Sequence, residues 1–242
     1  MVAVTTLQVI TVFFLATFVR ATLGFGEALM AVPVLALVIP IQTAAPVAVL
    51  ISISVAAAIL LEDWRHVHLR SASWLILATL IGTPLGLLLL TRVPANSVKA
   101  GLGVVIAAFA LYGLVRRELV VLKDDRLAWA FGFTAGVLGG AYGMNGPPLV
   151  IYGALRGWSA QRFRATLQGY FLVASMMAMA GYWLSGLWTA EVTHYYVVSI
   201  PGVVVAMLLG RRIVSRVNTG VFMRWVNVTL VAVALMLLAE SA

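Results

Sequence analysis

The sequence predicts an all-α, polytopic membrane protein made of two inverted repeats, each with about four full spans plus one short, broken membrane segment. Three observations predict it: the composition, the length of the apolar runs, and a set of Gly, Pro and Arg positions that recurs in the second half. Hydrophobic residues fill 63% of the 242 positions and charged residues only 10%, with a mean hydropathy of +1.06. Soluble domains carry roughly a quarter of their residues as charges, so the surface implied here is one that lipid wets. Inside a bilayer every backbone polar group needs an internal partner, which leaves helices or a closed barrel. The apolar runs are continuous rather than alternating, which excludes the barrel.

Runs near twenty residues are long enough to cross a hydrocarbon layer of roughly 30 Å. They fall near 4–23, 43–61, 71–90, 97–115, 127–142, 165–184, 193–210 and 219–239. Two further pieces are short and interrupted: 27–40, which holds Pro33, and 146–155, which opens on Pro147-Pro148. The first follows Gly24-Phe25-Gly26 and the second follows Gly139-Gly140-Ala141-Tyr142-Gly143. No stretch reads as a hydrophilic domain, the longest polar loop being Arg116 to Arg126. Arg20 comes after the first apolar run and no basic segment precedes it, so that run reads as a span rather than a cleaved leader.

The two broken places correspond at a fixed offset, Leu23, Gly24 and Pro33 matching Leu138, Gly139 and Pro148, each 115 residues on. Later the offset is 124: Leu85-Gly86 matches Leu209-Gly210, and Thr91-Arg92-Val93 matches Ser215-Arg216-Val217. A duplication with repeats at 1–118 and 119–242 accounts for both, and duplicated halves are common in secondary transporters. If the short pieces do not cross, nine loop cations lie inside and six outside. If each returns as the second arm of a broken hairpin, thirteen face two, with only Arg92 and Lys99 on the minority side. The positive-inside rule selects the second arrangement. It gives each half an odd number of segments, inverts the halves, and puts both termini outside the cytoplasm.

A broken, proline-containing pair in corresponding places points to a transport site. Gly and Pro release backbone groups from the helix ladder, and a helix that starts after the break aims its N-terminal N–H groups at the cavity, which favours an anion. Near the first break stand Gly24, Gly26, Arg20, Glu27 and Gln42; near the second stand Tyr142, Gly143, Asn145, Arg164 and Gln168. Asn145 is the favoured substrate contact, because a neutral amide donates to an anion with little desolvation cost. Arg164 and Gln168 are four apart on one helix face and can meet one ligand, and a guanidinium fork suits a sulfonate, sulfite or carboxylate. Arg20 either binds substrate or snorkels to the interface. Of the eight acidic residues, only Glu27 lies inside the apolar pattern. It is read either as a proton carrier or substrate acceptor, or as a salt-bridge partner of Arg20.

Other features point away from different chemistries. The absence of cysteine excludes disulfides and thiolate sites. The net charge of +8 is spread over short loops rather than gathered for nucleic acid. His66 and His68 read as solvated loop residues and His194 stands alone; neither a metal nor a cofactor is expected. Trp64, Trp74, Trp183, Trp188 and Trp225 read as interface anchors, and Met176, Met177 and Met179 as packing. No phosphate loop or catalytic constellation is spaced to act, so the chain does not read as an enzyme or as a pump with its own ATPase.

These motifs resemble the sulfite exporter TauE/SafE family over nearly the whole chain. The residues that carry the resemblance are Leu23-Gly24-Phe25-Gly26 with Pro33, Gly139-Gly140-Ala141-Tyr142-Gly143 with Pro147-Pro148, and Leu209-Gly210-Arg211-Arg212 with Arg216. The resemblance implies a carrier in a bacterial plasma (inner) membrane for sulfite, sulfoacetate or another organosulfonate or carboxylate. One position departs: Glu27 stands where members often have glycine. The partners expected are a small anion, the bilayer and a coupling proton or other ion, with a homo-oligomer left open. Alternatives are a membrane-embedded enzyme or assembly subunit, or an anion channel.

Overall fold

The computed structural model describes the backbone of residues 2–63, 69–115, 122, 125–213 and 219–241. His66, His68, Trp64, Arg65, Arg116, Arg117, Lys123 and Arg216 lie outside the described residues, as do the side chains of Arg70, Arg224 and Trp225. Among those described there are ten helices: α1 (Val2–Leu23), α2 (Glu27–Ala36), α3 (Ile41–Asp63), α4 (Leu69–Arg92), α5 (Ala95–Val115), α6 (Ala128–Tyr142), α7 (Gly146–Leu155), α8 (Ala160–Leu184), α9 (Ala190–Ile213) and α10 (Thr219–Ser241). Five of these, α1, α3, α4, α5 and α9, are long and apolar enough to cross a membrane. The exposed faces carry large apolar side chains, such as Leu7 and Leu15 on α1, Leu77, Leu80, Ile81 and Leu88 on α4, and Leu235 and Met236 on α10. Lipid is the solvent that such faces require.

Helix ends extend the apolar windows by a turn where a cap is present. Ser159 caps α8, its side chain accepting from the Arg162 N–H at 3.4 Å, so Arg162 and Arg164 lie within the helix rather than in the loop before it. Thr189 accepts from the Val192 N–H at 3.3 Å and starts α9 at Ala190. The short helix α2 stops at Ala36 rather than reaching residue 40: Val38 and Ile39 both donate back to the Leu35 carbonyl, and Pro40 ends the run. Ten residues span about 15 Å, so neither α2 nor α7 crosses the hydrocarbon layer as a single helix. The chain after α7 returns to the segment before α6: the Leu122 N–H donates to the Leu155 carbonyl at 2.7 Å and Arg156 Nη1 donates to the Leu122 carbonyl at 2.8 Å. The α6–α7 pair is therefore a hairpin closed at its open end.

The main pairings of the long helices repeat when every element is advanced by five. The packing of α1 on α9 becomes that of α6 on α4, α4 on α8 becomes α9 on α3, and α3–α8 and α5–α10 each map onto themselves. The α4–α6 contact is the tightest. Gly132, Gly136 and Gly140, four apart, face the carbonyls of Leu75, Thr79 and Thr83, while Gly82 and Gly86 face those of Phe133 and Val137. A Cβ at Gly136 would stand 2.6 Å from the Thr79 oxygen. Without a hydrophobic drive between helices in lipid, close backbone approach over small residues supplies the packing energy. The matching contact of Gly210 on α9 lies against Phe18 and Ala21 of α1.

Candidate functional site

The two breaks have the same local cause. Gly24 (φ 85°) and Gly143 (φ 64°) take the left-handed conformation, which for other residues costs roughly 1–2 kcal/mol. Each closes its helix with one bond: Gly24 N–H to the Arg20 carbonyl at 2.7 Å, and Gly143 N–H to the Gly139 carbonyl at 2.8 Å. The structural counterpart of Gly24 is therefore Gly143, 119 residues on, not Gly139; the register read from the sequence is one helical turn short in this region. Pro33 and Pro148 are likewise not equivalent. Pro33 sits inside α2, whereas Pro147 and Pro148 occupy the first turn of α7, where the absent N–H groups are not missed.

Carbonyls at the helix ends find partners from α8. Gln168 Nε2 donates to the Gly24 carbonyl at 2.6 Å, and Tyr182 Oη donates to those of Gly139 and Gly140 at 3.0 and 3.1 Å. The N-termini of α2 and α7 are different: Gly26 and Asn145 are their N-caps, and neither start has a side-chain cap bond. Both starts line one small pocket, whose interior leaves about 20 Å³, room for roughly one water molecule, together with Arg20, Ser52, Met144 and Phe171. First-turn N–H groups point along the axis out of a helix start and carry its positive end.

At the wall of this cavity is a buried cation. Arg20 is 2% exposed and Glu27 is equally buried. They form an ion pair through Arg20 Nη1 and Glu27 Oε2. Thr17 Oγ1 donates to the other Glu27 oxygen at 3.0 Å. Arg20 also donates to Ser52 Oγ at 3.0 Å and, through Nη2, to Gln168 Oε1 at 2.7 Å, and its guanidinium lies 5.2 Å from the centre of the Phe171 ring. Ser175 donates to Ser52 at 3.3 Å. A buried pair of charges is tolerated when further bonds satisfy it, and these partners do so with one exception: the Nε–H of Arg20 has no acceptor among the described residues. Arg20 therefore does not snorkel.

Of the residues singled out in the sequence, Arg20, Gly26, Glu27 and Asn145 line the cavity. Gln168 and Gly24 form the layer behind it. Arg164 is half-buried, and its stem lies against Gly24, where a Cβ would come within 3.2 Å of its Cγ. Gly143 lies against the Ala45 carbonyl, and Ala45 precedes Arg164 by the same 119 residues. Tyr142 turns its hydroxyl toward Gly101 on α5, and Gln42 is half-buried; neither lines the cavity. Asn145 is 7% exposed. Thr17, Ser52, Phe171 and Ser175 were missed. Ser52 and Ser175 are small polar residues in the largely apolar middle stretches of their helices, a faint signal; nothing in the sequence marks Phe171. Among the described residues no group of three acidic or histidine side chains could hold a metal ion.

A curated relative from Cupriavidus necator, described as a probable sulfite/organosulfonate exporter TauE, is 27% identical over 204 residues, covering 81% of this chain and 79% of that protein. No solved structure matches. Residues 9–237 match the family described as Sulfite exporter TauE/SafE. The chain is thus a multi-pass membrane protein of a transporter family, the sulfite exporter TauE/SafE family, and belongs to it over nearly its full length.

Proposed function

We propose that this protein is a secondary transporter that moves a small anion, sulfite or an organosulfonate or carboxylate, across the bacterial plasma membrane by alternating access. One observation carries the reading: two uncapped helix starts, from α2 and α7, share a single cavity whose wall is the buried guanidinium of Arg20. Each helix start is worth roughly half an elementary charge, and Arg20 adds a further one that Glu27 balances while it is ionised. The curated relative's description as a sulfite/organosulfonate exporter supports the choice of substrate class. In this reading Arg20, Asn145 and the first-turn N–H groups touch the anion, while Gln168, Gly24 and Arg164 hold the break in shape.

The repeated pairings support alternating access. Two halves related as inverted repeats, 1–118 and 119–242, rock about the α3–α8 contact and expose the cavity to one side and then the other. The charge distribution supports both termini lying outside the cytoplasm. Counterflow in proteoliposomes tests the function. Labelled sulfite and sulfoacetate should exchange saturably against the unlabelled anions; flux that rises without limit would mean a channel, and absent flux would defeat the proposal.

A further inference from the structure

Glu27 is the first residue of α2, so its carboxylate has both things that the transported anion would want, the positive end of a helix and the guanidinium of Arg20. The corresponding position at the second break, 119 residues on, is Gly146, which starts α7 without any side chain. One helix start thus carries a carboxylate of the protein in its first turn and the other carries none. Two donors at the cavity remain unused: Arg20 Nε–H has no acceptor, and the Asn145 amide makes no hydrogen bond among the described residues.

Resting on the reading of this cavity as an anion site, we propose that Glu27 is a tethered rival of the substrate, and that the anion engages Arg20 only as Glu27 takes up a proton. The physical reason is charge balance. One guanidinium beside two anions leaves a net negative charge in a buried site, which is costly at low effective dielectric. A proton on Glu27 removes one of these negative charges and frees Arg20, and the carboxyl can then donate to the anion while still accepting from Thr17. The other groups facing Glu27 and Arg20 are Thr17 from α1, Ser52 from α3, Asn145 at the start of α7, and Gln168 and Phe171 from α8. None of them titrates near neutrality, so Glu27 carries the whole effect. Coupling of one proton to each anion follows.

Calorimetry of sulfoacetate binding to the purified protein, in buffers of different ionisation enthalpy between pH 6 and 8.5, tests this. Sulfoacetate keeps a constant charge over that range, because its carboxyl titrates near 4. The wild-type chain should take up about one proton per anion, with Kd rising up to tenfold per pH unit while Glu27 is ionised in the empty carrier. Glu27→Gln should bind with no proton uptake, independently of pH, and at least tenfold more tightly at the alkaline end. The double variant Arg20→Gln with Glu27→Gln should not bind. Anion binding to wild type without net proton uptake, or uptake that persists in Glu27→Gln, overturns the inference and leaves the transport reading standing. Absence of binding to wild type and Glu27→Gln alike, for sulfite as well as sulfoacetate, overturns both. Should Glu27→Gln fail to fold, the wild-type proton count decides alone.

Discussion

Gln168 grips Arg20 from the opposite half of the chain. Its Oε1 accepts from Arg20 Nη2 at 2.7 Å while its Nε2 donates to the Gly24 carbonyl at 2.6 Å. One amide thus fixes the direction of the cation and satisfies a carbonyl freed by the break, with all three groups buried.

Replacing Gln168 with Leu leaves a guanidinium hydrogen and a buried carbonyl without partners. Each unsatisfied group costs roughly 1–3 kcal/mol, so the thermal midpoint in detergent should fall. Anion affinity should drop about tenfold as Arg20 loses its orientation, by the relation of roughly 1.4 kcal/mol per decade. Binding calorimetry beside a melting curve checks both, and unchanged affinity would detach Gln168 from the site.

Removing one member of the buried ion pair should be worse than removing both. Arg20→Ala strands the Glu27 carboxylate, a change that costs about 3–5 kcal/mol in buried pairs. The double change Arg20→Gln with Glu27→Gln should recover most of that stability and none of the transport. Expression yield, melting temperature and counterflow measured on the three proteins separate the structural share of Arg20 from its part in binding.

Asn145 offers a cleaner separation, because its amide makes no hydrogen bond among the described residues. Asn145→Ala breaks no hydrogen bond among the described residues and should lower the stability by only about 1 kcal/mol, the centre of the usual range for point substitutions. It should weaken anion binding about tenfold. Asn145→Asp places a negative charge on the cavity wall and should abolish binding at neutral pH. Equal affinities in all three proteins would move the substrate away from the α7 start.

Glycine substitutions should divide by helix contact. Gly136→Ala forces a methyl to within 2.6 Å of the Thr79 carbonyl; overpacking of this kind costs typically about 1–3 kcal/mol. Gly202→Ala in α9 meets only the Ile10 side chain at 3.6 Å, ordinary contact. It should stabilise by up to about 1 kcal/mol through helix propensity. Melting curves in one detergent test the pair, and a destabilised Gly202→Ala would contradict the packing described.

What the sequence by itself determined was local. Apolar runs of span length, glycines that permit a left-handed turn and prolines that start or interrupt a helix act through the chain's own backbone. The helices, the two breaks and the short segments α2 and α7 were therefore legible. So was the odd status of Glu27, since a carboxylate within apolar sequence stands out by composition alone. Tertiary structure decided what these pieces face. Arg20 and Glu27 are only seven apart, but they meet because the turn at Gly24–Gly26 reverses the chain. Ser52 and Gln168 arrive from α3 and α8 through packing that no local pattern encodes. The one-turn slip in register, Gly143 rather than Gly139 opposite Gly24, has the same origin. Positions four apart share a helix face, so the sequence could not tell which glycine closes α6; the hydrogen bonds at the break could.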